Sequence, residues 1–196
     1  MSKPISNKEW FNVRWAFDWN WISKGIPLQT VCEVGIGPRD ISMLPWFEYS
    51  SRCRRLIGID PNPEFCEWAR KMPGAEIREC AIGAEEGVGR LNLNGGSSFL
   101  EGNWSPTPAP GADARLVSVQ RFDVIDPGDI DLLNVDCEGG ERHVFEQMRS
   151  TPIIIGVELW HGNPDREWIL AWLESRHYQL RATTGPEGET MIWSLS

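Results

Sequence analysis

The stretch Val31-Cys-Glu-Val-Gly-Ile-Gly-Pro-Arg-Asp40 decides how this chain is read. A short apolar run broken by one acid, Glu33, leads directly into Gly35-x-Gly37. Runs of this kind form strands buried inside a parallel sheet. Glycines straight after the run let the backbone turn sharply and let a ligand approach the main chain. The next apolar run, Leu56-Ile-Gly-Ile-Asp60, ends on an acid placed to accept two hydrogen bonds from a ribose diol. G-x-G alone is a weak signal, but with an acid at the second strand tip it points to an adenosine-containing cofactor. A dinucleotide site calls for G-x-G-x-x-G, and Asp40 stands where the third glycine belongs. Glu33 adds negative charge, which is unfavourable beside a pyrophosphate and suits the ammonium and sulfonium of S-adenosylmethionine. These residues favour a methyltransferase over an NAD-dependent oxidoreductase on a Rossmann fold, which stays open as the alternative.

Working outward, Val31–Gly35, Leu56–Asp60, Ile77–Ala81, Asp131–Asp136 and Ile153–Leu159 read as buried parallel strands, each ending near Gly, Asp or Glu. Helices are expected over Pro63–Met72, with Asn62 as cap, and over Gly139–Met148 and Asp165–Arg176. The last of these sets Trp168, Trp172 and Leu173 at helical spacing beside Ile169. Gly87–Leu93 and Ala114–Gln120 read as strands joined by a long, turn-rich connection across 94–112. Tyr178–Thr184 and Thr190–Leu195 flank Gly185-Pro-Glu-Gly-Glu189 and form an antiparallel hairpin. Near the start, Phe11, Val13, Trp15, Phe17, Trp19 and Trp21 alternate as in a strand. A strand that long is unusual, and Ser6-x-x-Glu9 with Lys24-Gly25 supplies a helix start and stop. The expectation is one domain over 1–196: an N-terminal helical segment (1–28), a cofactor-binding core (30–160), and a C-terminal helix and hairpin (161–196).

Composition narrows the function classes. The 196 residues are 41% hydrophobic and 24% charged, which excludes disorder and supports one stable core. No apolar run approaches the roughly 20 residues of a membrane helix. The opening Met1-Ser-Lys-Pro-Ile-Ser-Asn-Lys-Glu9 lacks the apolar stretch of a secretory signal. Five scattered cysteines without a C-x-x-C pair fit reduced thiols and a cytoplasmic location. A net charge of −9 argues against nucleic acid as partner, because neutralising phosphates dominates that affinity. Eleven tryptophans, four of them within Trp10–Trp21, are candidates for core, for a partner surface or for the wall of a site.

At this point the sequence resembles the FkbM-type family of class I S-adenosylmethionine-dependent methyltransferases. The resemblance rests on Glu33-Val-Gly-Ile-Gly37, Gly58-Ile-Asp-Pro-Asn-Pro63, Cys80-Ala-Ile-Gly83 and Gly95-Gly-Ser-Ser98, and on Ile154-Ile-Gly-Val-Glu158. Above all it rests on Ile130-Asp-Leu-Leu-Asn-Val-Asp-Cys-Glu-Gly-Gly-Glu141, where the family has I-D-x-L-K-x-D-x-E-G-x-E. It implies an α/β fold: a doubly wound, mostly parallel seven-stranded sheet with a C-terminal antiparallel hairpin. It also implies cofactor roles. Glu33, Gly35 and Gly37, with Ile36 beside them, would hold the methionine moiety. Asp60, with Pro61 and Asn62, would hold the ribose, and Cys80, Ala81 and Ile82 the adenine; Ser98 and Asp136 complete the set. Three positions depart from the pattern: Asn134 replaces the usual lysine, and Pro38 and Arg39 replace small residues. These departures motivate a further alternative, a cofactor-binding partner subunit without catalysis.

Methyl transfer is an in-line displacement at an already activated carbon, so the protein's main task is alignment. An alcohol nucleophile also gains from a general base. Asp136, Glu138, Glu158 and His161 are the candidate catalytic residues. Glu141 lies three residues after Glu138 at a helix start, which sets both on one helix face and is also the pattern of an N-terminal cap. His143 and His177 read as structural residues within helices. Asp136, Glu138, Glu158 and His161 could instead gather a divalent ion, but no metal-ligand spacing supports a metal site. Trp104 and Trp160 read either as stacking surfaces for substrate or as loop hydrophobes. The expected reaction is O-methylation of a hydroxyl on a small molecule or saccharide, with no nucleic-acid or membrane partner and with room for a homodimer.

Overall fold

The computed structural model of the chain describes residues 23–39, 44, 46–93, 98–103, 113–184 and 189–196. In chain order the elements are β1 (Thr30–Val34), α1 (Trp46–Tyr49), β2 (Arg55–Ile59), α2 (Pro63–Ala69), β3 (Ala75–Arg78), β4 (Ala81–Ile82), β5 (Gly87–Asn92) and β6 (Phe99–Leu100). There follow β7 (Ala114–Gln120), α3 (Phe122–Ile125), β8 (Leu132–Val135), α4 (Glu141–Gln147), β9 (Ile154–Glu158), α5 (Arg166–Ser175), β10 (Tyr178–Thr184) and β11 (Thr190–Leu195). The expected N-terminal helix and the Trp10–Trp21 group fall outside the described residues, as do Trp104 and most of the 94–112 connection. The first described residues, Ser23–Gly25, form a turn with Gly25 at φ +80.

A seven-stranded sheet in the order β10-β11-β9-β8-β1-β2-β3 carries the architecture. β1 pairs in parallel with β2 and β8, β8 with β9, and β2 with β3. The C-terminal hairpin joins the sheet antiparallel, through β11 against β9. The sheet is therefore mixed, and mostly parallel.

Both faces of the central strands are covered, which explains why those strands read as largely apolar runs. Alternate residues Cys32, Val34, Ile57, Ile59, Leu133, Val135, Ile155 and Val157 pack with Val144 and Phe145 of α4 and with Ile169 and Leu173 of α5. The other set, Val31, Leu56, Leu132, Ile154 and Ile192, packs with Leu28, Trp46, Tyr49 and Ala69. Each such side chain, fully buried, contributes about 1.5–3 kcal/mol of hydrophobic stabilisation. Among the tryptophans offered as core candidates, Trp193 is buried, while Trp168 and Trp172 are partly buried and lie against the same cluster.

Two expectations need correction. Ile77–Ala81 is not one strand: β3 ends at Arg78 on the edge of the large sheet, and β4 begins at Ala81 in a second sheet ordered β4-β7-β5-β6. An edge strand has no outer neighbour to hold it, so the chain leaves at Glu79-Cys80 and buries Cys80 and Ala81 elsewhere. His177 is not helical either. It stands just past α5 at φ +64, and its N–H closes on the Glu174 carbonyl at 3.0 Å, the left-handed stop that glycine usually provides. None of the described helices is long and apolar enough to cross a membrane.

Gly35 sits at φ +86, and a Cβ there would lie 1.6 Å from the Asp136 carbonyl oxygen. Gly37 has φ +67, but a Cβ there would meet nothing within 4 Å. Gly35→Ala should therefore cost more than about 3 kcal/mol in urea unfolding, and Gly37→Ala only about 1–2 kcal/mol. Equal losses would mean the Gly35–Asp136 contact does not constrain the fold.

Candidate cofactor and acceptor site

The site forms where four parallel strands end together. The registers Val34↔Ile59, Val34↔Val135 and Val135↔Val157 bring Gly35, Asp60, Asp136 and Glu158 level at the C-terminal edge. Backbone bonds carry the pairing past the strands, from Gly35 N to the Ile59 carbonyl and from Asp136 N to the Val34 carbonyl, both at 2.8 Å. In open α/β sheets this edge is where ligands bind.

Asp60 fastens the glycine turn. Its carboxylate accepts from Gly37 N at 3.0 Å and from Asn62 N at 2.7 Å. Asn62 in turn caps α2 by accepting from Glu64 N at 3.0 Å, with Pro63 opening the helix. Burial pushes the Asp60 carboxyl up to about 6, against the pull of the N–H donors of Gly37, Asn62 and Ile36. From the other side, the Trp68 indole donates to the Gly37 carbonyl at 3.1 Å and meets Trp46 edge to face. No sequence signal marks these two tryptophans, because their partners lie on other strands.

Glu33 is fully buried. One of its oxygens accepts from Leu44 N at 3.0 Å and from the Asn134 amide at 3.1 Å, and the other accepts from the Trp46 indole. Its charge lies just below the Gly35 turn, and its contacts seat residues 44 and 46 on β1. Cys80, Ala81 and Ile82 are likewise buried, and burial pushes the Cys80 thiol up to about 11. Gly140 brings Ile82 to the loop after β8: a Cβ on it would lie 3.2 Å from Cys137 Sγ and 3.5 Å from the Ile82 carbonyl. Ile36 is buried, whereas Pro61, Asn62 and Ser98 are half-buried.

The carboxylates of Asp136, Glu138 and Glu158 converge, with one ligand atom from each lying within 4.8 Å of the others. Burial comes first in holding the Asp136 carboxyl well above the usual carboxylate range, followed by the charges of Glu158 and Glu138. Burial raises Glu158 too, though Asp136 and the Trp160 indole donate to it and favour its ionised form. Both carboxyls are thus raised by burial, and the hydrogen bond between them raises Asp136 further while drawing Glu158 back down. Among the described residues this trio is the group that could hold a metal ion, and three carboxylates suit a hard divalent cation. His161 is outside it, exposed in the turn after β9 next to the partly exposed Trp160.

Glu138 and Glu141 do not share a helix face as expected. Glu138 precedes α4 in the left-handed region, at φ +52, and Gly139 follows at φ +92. Glu141 is the first residue of α4, and its buried carboxylate accepts from Cys137 N at 3.2 Å, Gly139 N at 3.0 Å and the Asn163 amide at 3.2 Å. Asn163, which the sequence reading missed, also accepts from Asp165 N at 2.9 Å. The Asn-Pro-Asp sequence ahead of α5 was its available signal.

Residues 35–180, more than half of the chain, match the family model described as the methyltransferase FkbM domain. Among solved structures the chain is similar to a ribosomal protein L11 methylase from Lactobacillus delbrueckii subsp. bulgaricus. That likeness has 11% identity and a TM-score of 0.52 and spans 98% of this chain and 80% of the other. It is also similar to a precorrin 8W decarboxylase from Methanobacterium thermoautotrophicum, with 14% identity, a TM-score of 0.47 and coverage of 100% and 93%. No curated protein matches the sequence. At such identities the first likeness speaks for the fold alone, that of a Rossmann-like methyltransferase. The family match takes in the glycine turn and every strand tip described above, and on that ground the chain belongs to the FkbM methyltransferase family.

Proposed function

We propose that this methyltransferase uses S-adenosylmethionine and methylates a hydroxyl of a small molecule or saccharide. The observation that carries the reading is the carboxylate trio at the same sheet edge as the Gly35–Gly37 turn. An amine acceptor can attack as the free base, whereas a neutral hydroxyl gains from a carboxylate that takes its proton.

The residues present fit the cofactor. Among the described residues, the missing side chain of Gly37 leaves open space above the turn, and the Asp60 oxygens keep acceptor capacity beyond that used by Gly37, Asn62 and Ile36. Bound S-adenosylmethionine supplies a methyl group activated by a sulfonium. Gly35, Ile36 and Gly37 would border its methionine part, Asp60 would accept from the ribose hydroxyls, and Ile82 would flank the base. Glu158, whose ionised form is favoured by hydrogen bonds from Asp136 and Trp160, would accept the acceptor's hydroxyl proton. A net charge of −9 and three acids at the site favour a neutral or cationic acceptor over a polyanion. All five cysteines are free thiols, which suits the reducing cytoplasm proposed as the location.

Glu158→Gln should lower radiolabelled methyl uptake across a panel of hydroxyl acceptors by about 100-fold or more. Its affinity for S-adenosylhomocysteine should stay within a few-fold of wild type in calorimetry. Undiminished uptake would remove Glu158 as the base. Asp60→Ala should weaken the same ligand by about 1.5–3 kcal/mol, and unchanged affinity would move the ribose contact elsewhere. The raised Asp60 carboxyl adds a pH signature. Only its ionised form accepts charge-assisted bonds, so wild-type affinity should fall as pH drops through about 6, and Asp60→Asn should flatten that fall. Heat with NAD and none with S-adenosylhomocysteine would sink the cofactor assignment.

A further inference from the structure

Glu141 is a buried carboxylate that the chemistry above leaves unused, and its contacts exceed what a helix cap needs. A cap at the surface satisfies one or two N–H groups of its own first turn. Glu141 is 3% exposed and reaches backward to Cys137 N and Gly139 N, and sideways to the Asn163 amide in another loop. Asn163 is itself 7% exposed and tied into its own turn, with its N–H on the Trp160 carbonyl at 2.9 Å and its side-chain oxygen on Asp165 N. The next residue repeats the connection: Arg142 pairs with Asp165 at 2.9 Å and lies 4.9 Å over the Trp168 ring.

The start of α4 therefore grips both strand-tip loops that supply the acids, the one after β8 and the one after β9. Such a grip is needed there. Asp136, Glu138 and Glu158 are three acids drawn within 4.8 Å, and Glu138 is held at φ +52, a conformation unfavourable for a residue with a side chain. Both residues flanking Glu138 have their N–H groups on the Glu141 carboxylate. Release of those bonds would let the loop relax and Glu138 swing away from its neighbours.

We propose that Glu141 is a positioning residue for methyl transfer: tied to Asn163, it holds Asp136 and Glu138 against Glu158. The proposal rests on the methyltransferase reading above, and its test separates the two. The first readout is amide hydrogen exchange in the full chain, which needs no acceptor. Asn163→Ala removes the tie from the far loop and leaves Glu141 in place. It should speed exchange at Cys137 and Gly139 about tenfold while the amides of β1 and β8 keep their protection. The second readout is tritiated methyl transfer to the best-methylated member of a panel of neutral methyl glycopyranosides and alicyclic alcohols. Glu141→Gln and Asn163→Ala should each lower kcat about 10- to 100-fold, with KM and S-adenosylhomocysteine affinity within a few-fold of wild type. The double variant should lose no more than the worse single one, because both remove one tie. Unmoved exchange at Cys137 and Gly139, unchanged kcat, or losses that multiply in the double variant would overturn the proposal. A wild-type chain that binds no S-adenosylhomocysteine would defeat the cofactor reading instead, and the exchange result would still decide whether the tie exists.

Discussion

The approach of Gly35 to the carbonyl of Asp136 is the constraint on which the rest of the site depends. There the main chains of β1 and β8 touch beyond their last ladder bonds, so closely that a Cβ on Gly35 would stand 1.6 Å from the oxygen. One contact thus sets the glycine turn beside the acids after β8. The turn is then fixed from its far end, where Gly37 N binds Asp60 and the Gly37 carbonyl receives the Trp68 indole. A turn held at both ends is rigid without filling its own concave side, which is what a site for an extended ligand needs. The glycines do different work. Gly35 is dictated by contact and conformation, and Gly37 by conformation and by the space it leaves open.

The second requirement is electrostatic. Three carboxylates converge at the edge, with Glu141 close behind them, in a protein that is already acidic. Buried like charges without compensation are strongly destabilising. Among the described residues, burial raises the Asp136 and Glu158 carboxyls toward their neutral forms, and neutral donors also meet the acids: the Trp160 indole, the Asn163 amide, and the N–H groups of Cys137 and Gly139. The region keeps its negative potential, and a cationic group brought to it would find acceptors already in place.

Much of this was legible in the sequence. Parallel strands covered on both faces are apolar at most positions, so β1, β2, β8 and β9 stood out as runs, and their polar endings marked the edge where chemistry gathers. Gly35, Asp60, Asp136 and Glu158 were found that way. What stayed hidden depends on partners distant in sequence or on backbone states that leave no mark. The departure of the chain from the sheet at Glu79-Cys80 follows from β3 lying at an edge. The left-handed conformations fall on Glu138 and His177, where glycine would have announced them. The bond between Glu141 and Asn163 spans two loops whose closeness only the register of β8 and β9 creates.

Asn134 shows how such a register changes the meaning of a substitution. The family pattern places lysine there, and the exchange for asparagine first suggested a chain that binds cofactor without catalysis. In the sheet, Asn134 is the cross-strand neighbour of Glu33, and its amide donates to that carboxylate. A lysine at this position would bring a positive charge to the buried acid. With asparagine, an amide dipole joins Leu44 N and the Trp46 indole among the described donors to that carboxylate. Asn134 Oδ1 is left with no hydrogen-bond partner among the described residues, which is the cost of using an amide where one acceptor needed a donor. The adjustment is confined to the pairing of β1 with β8, below the turn. Asp136 lies two residues further along, and its partners are Glu158 and Glu138. The substitution therefore bears on how β1 is seated and leaves the acids that would perform the transfer as they are.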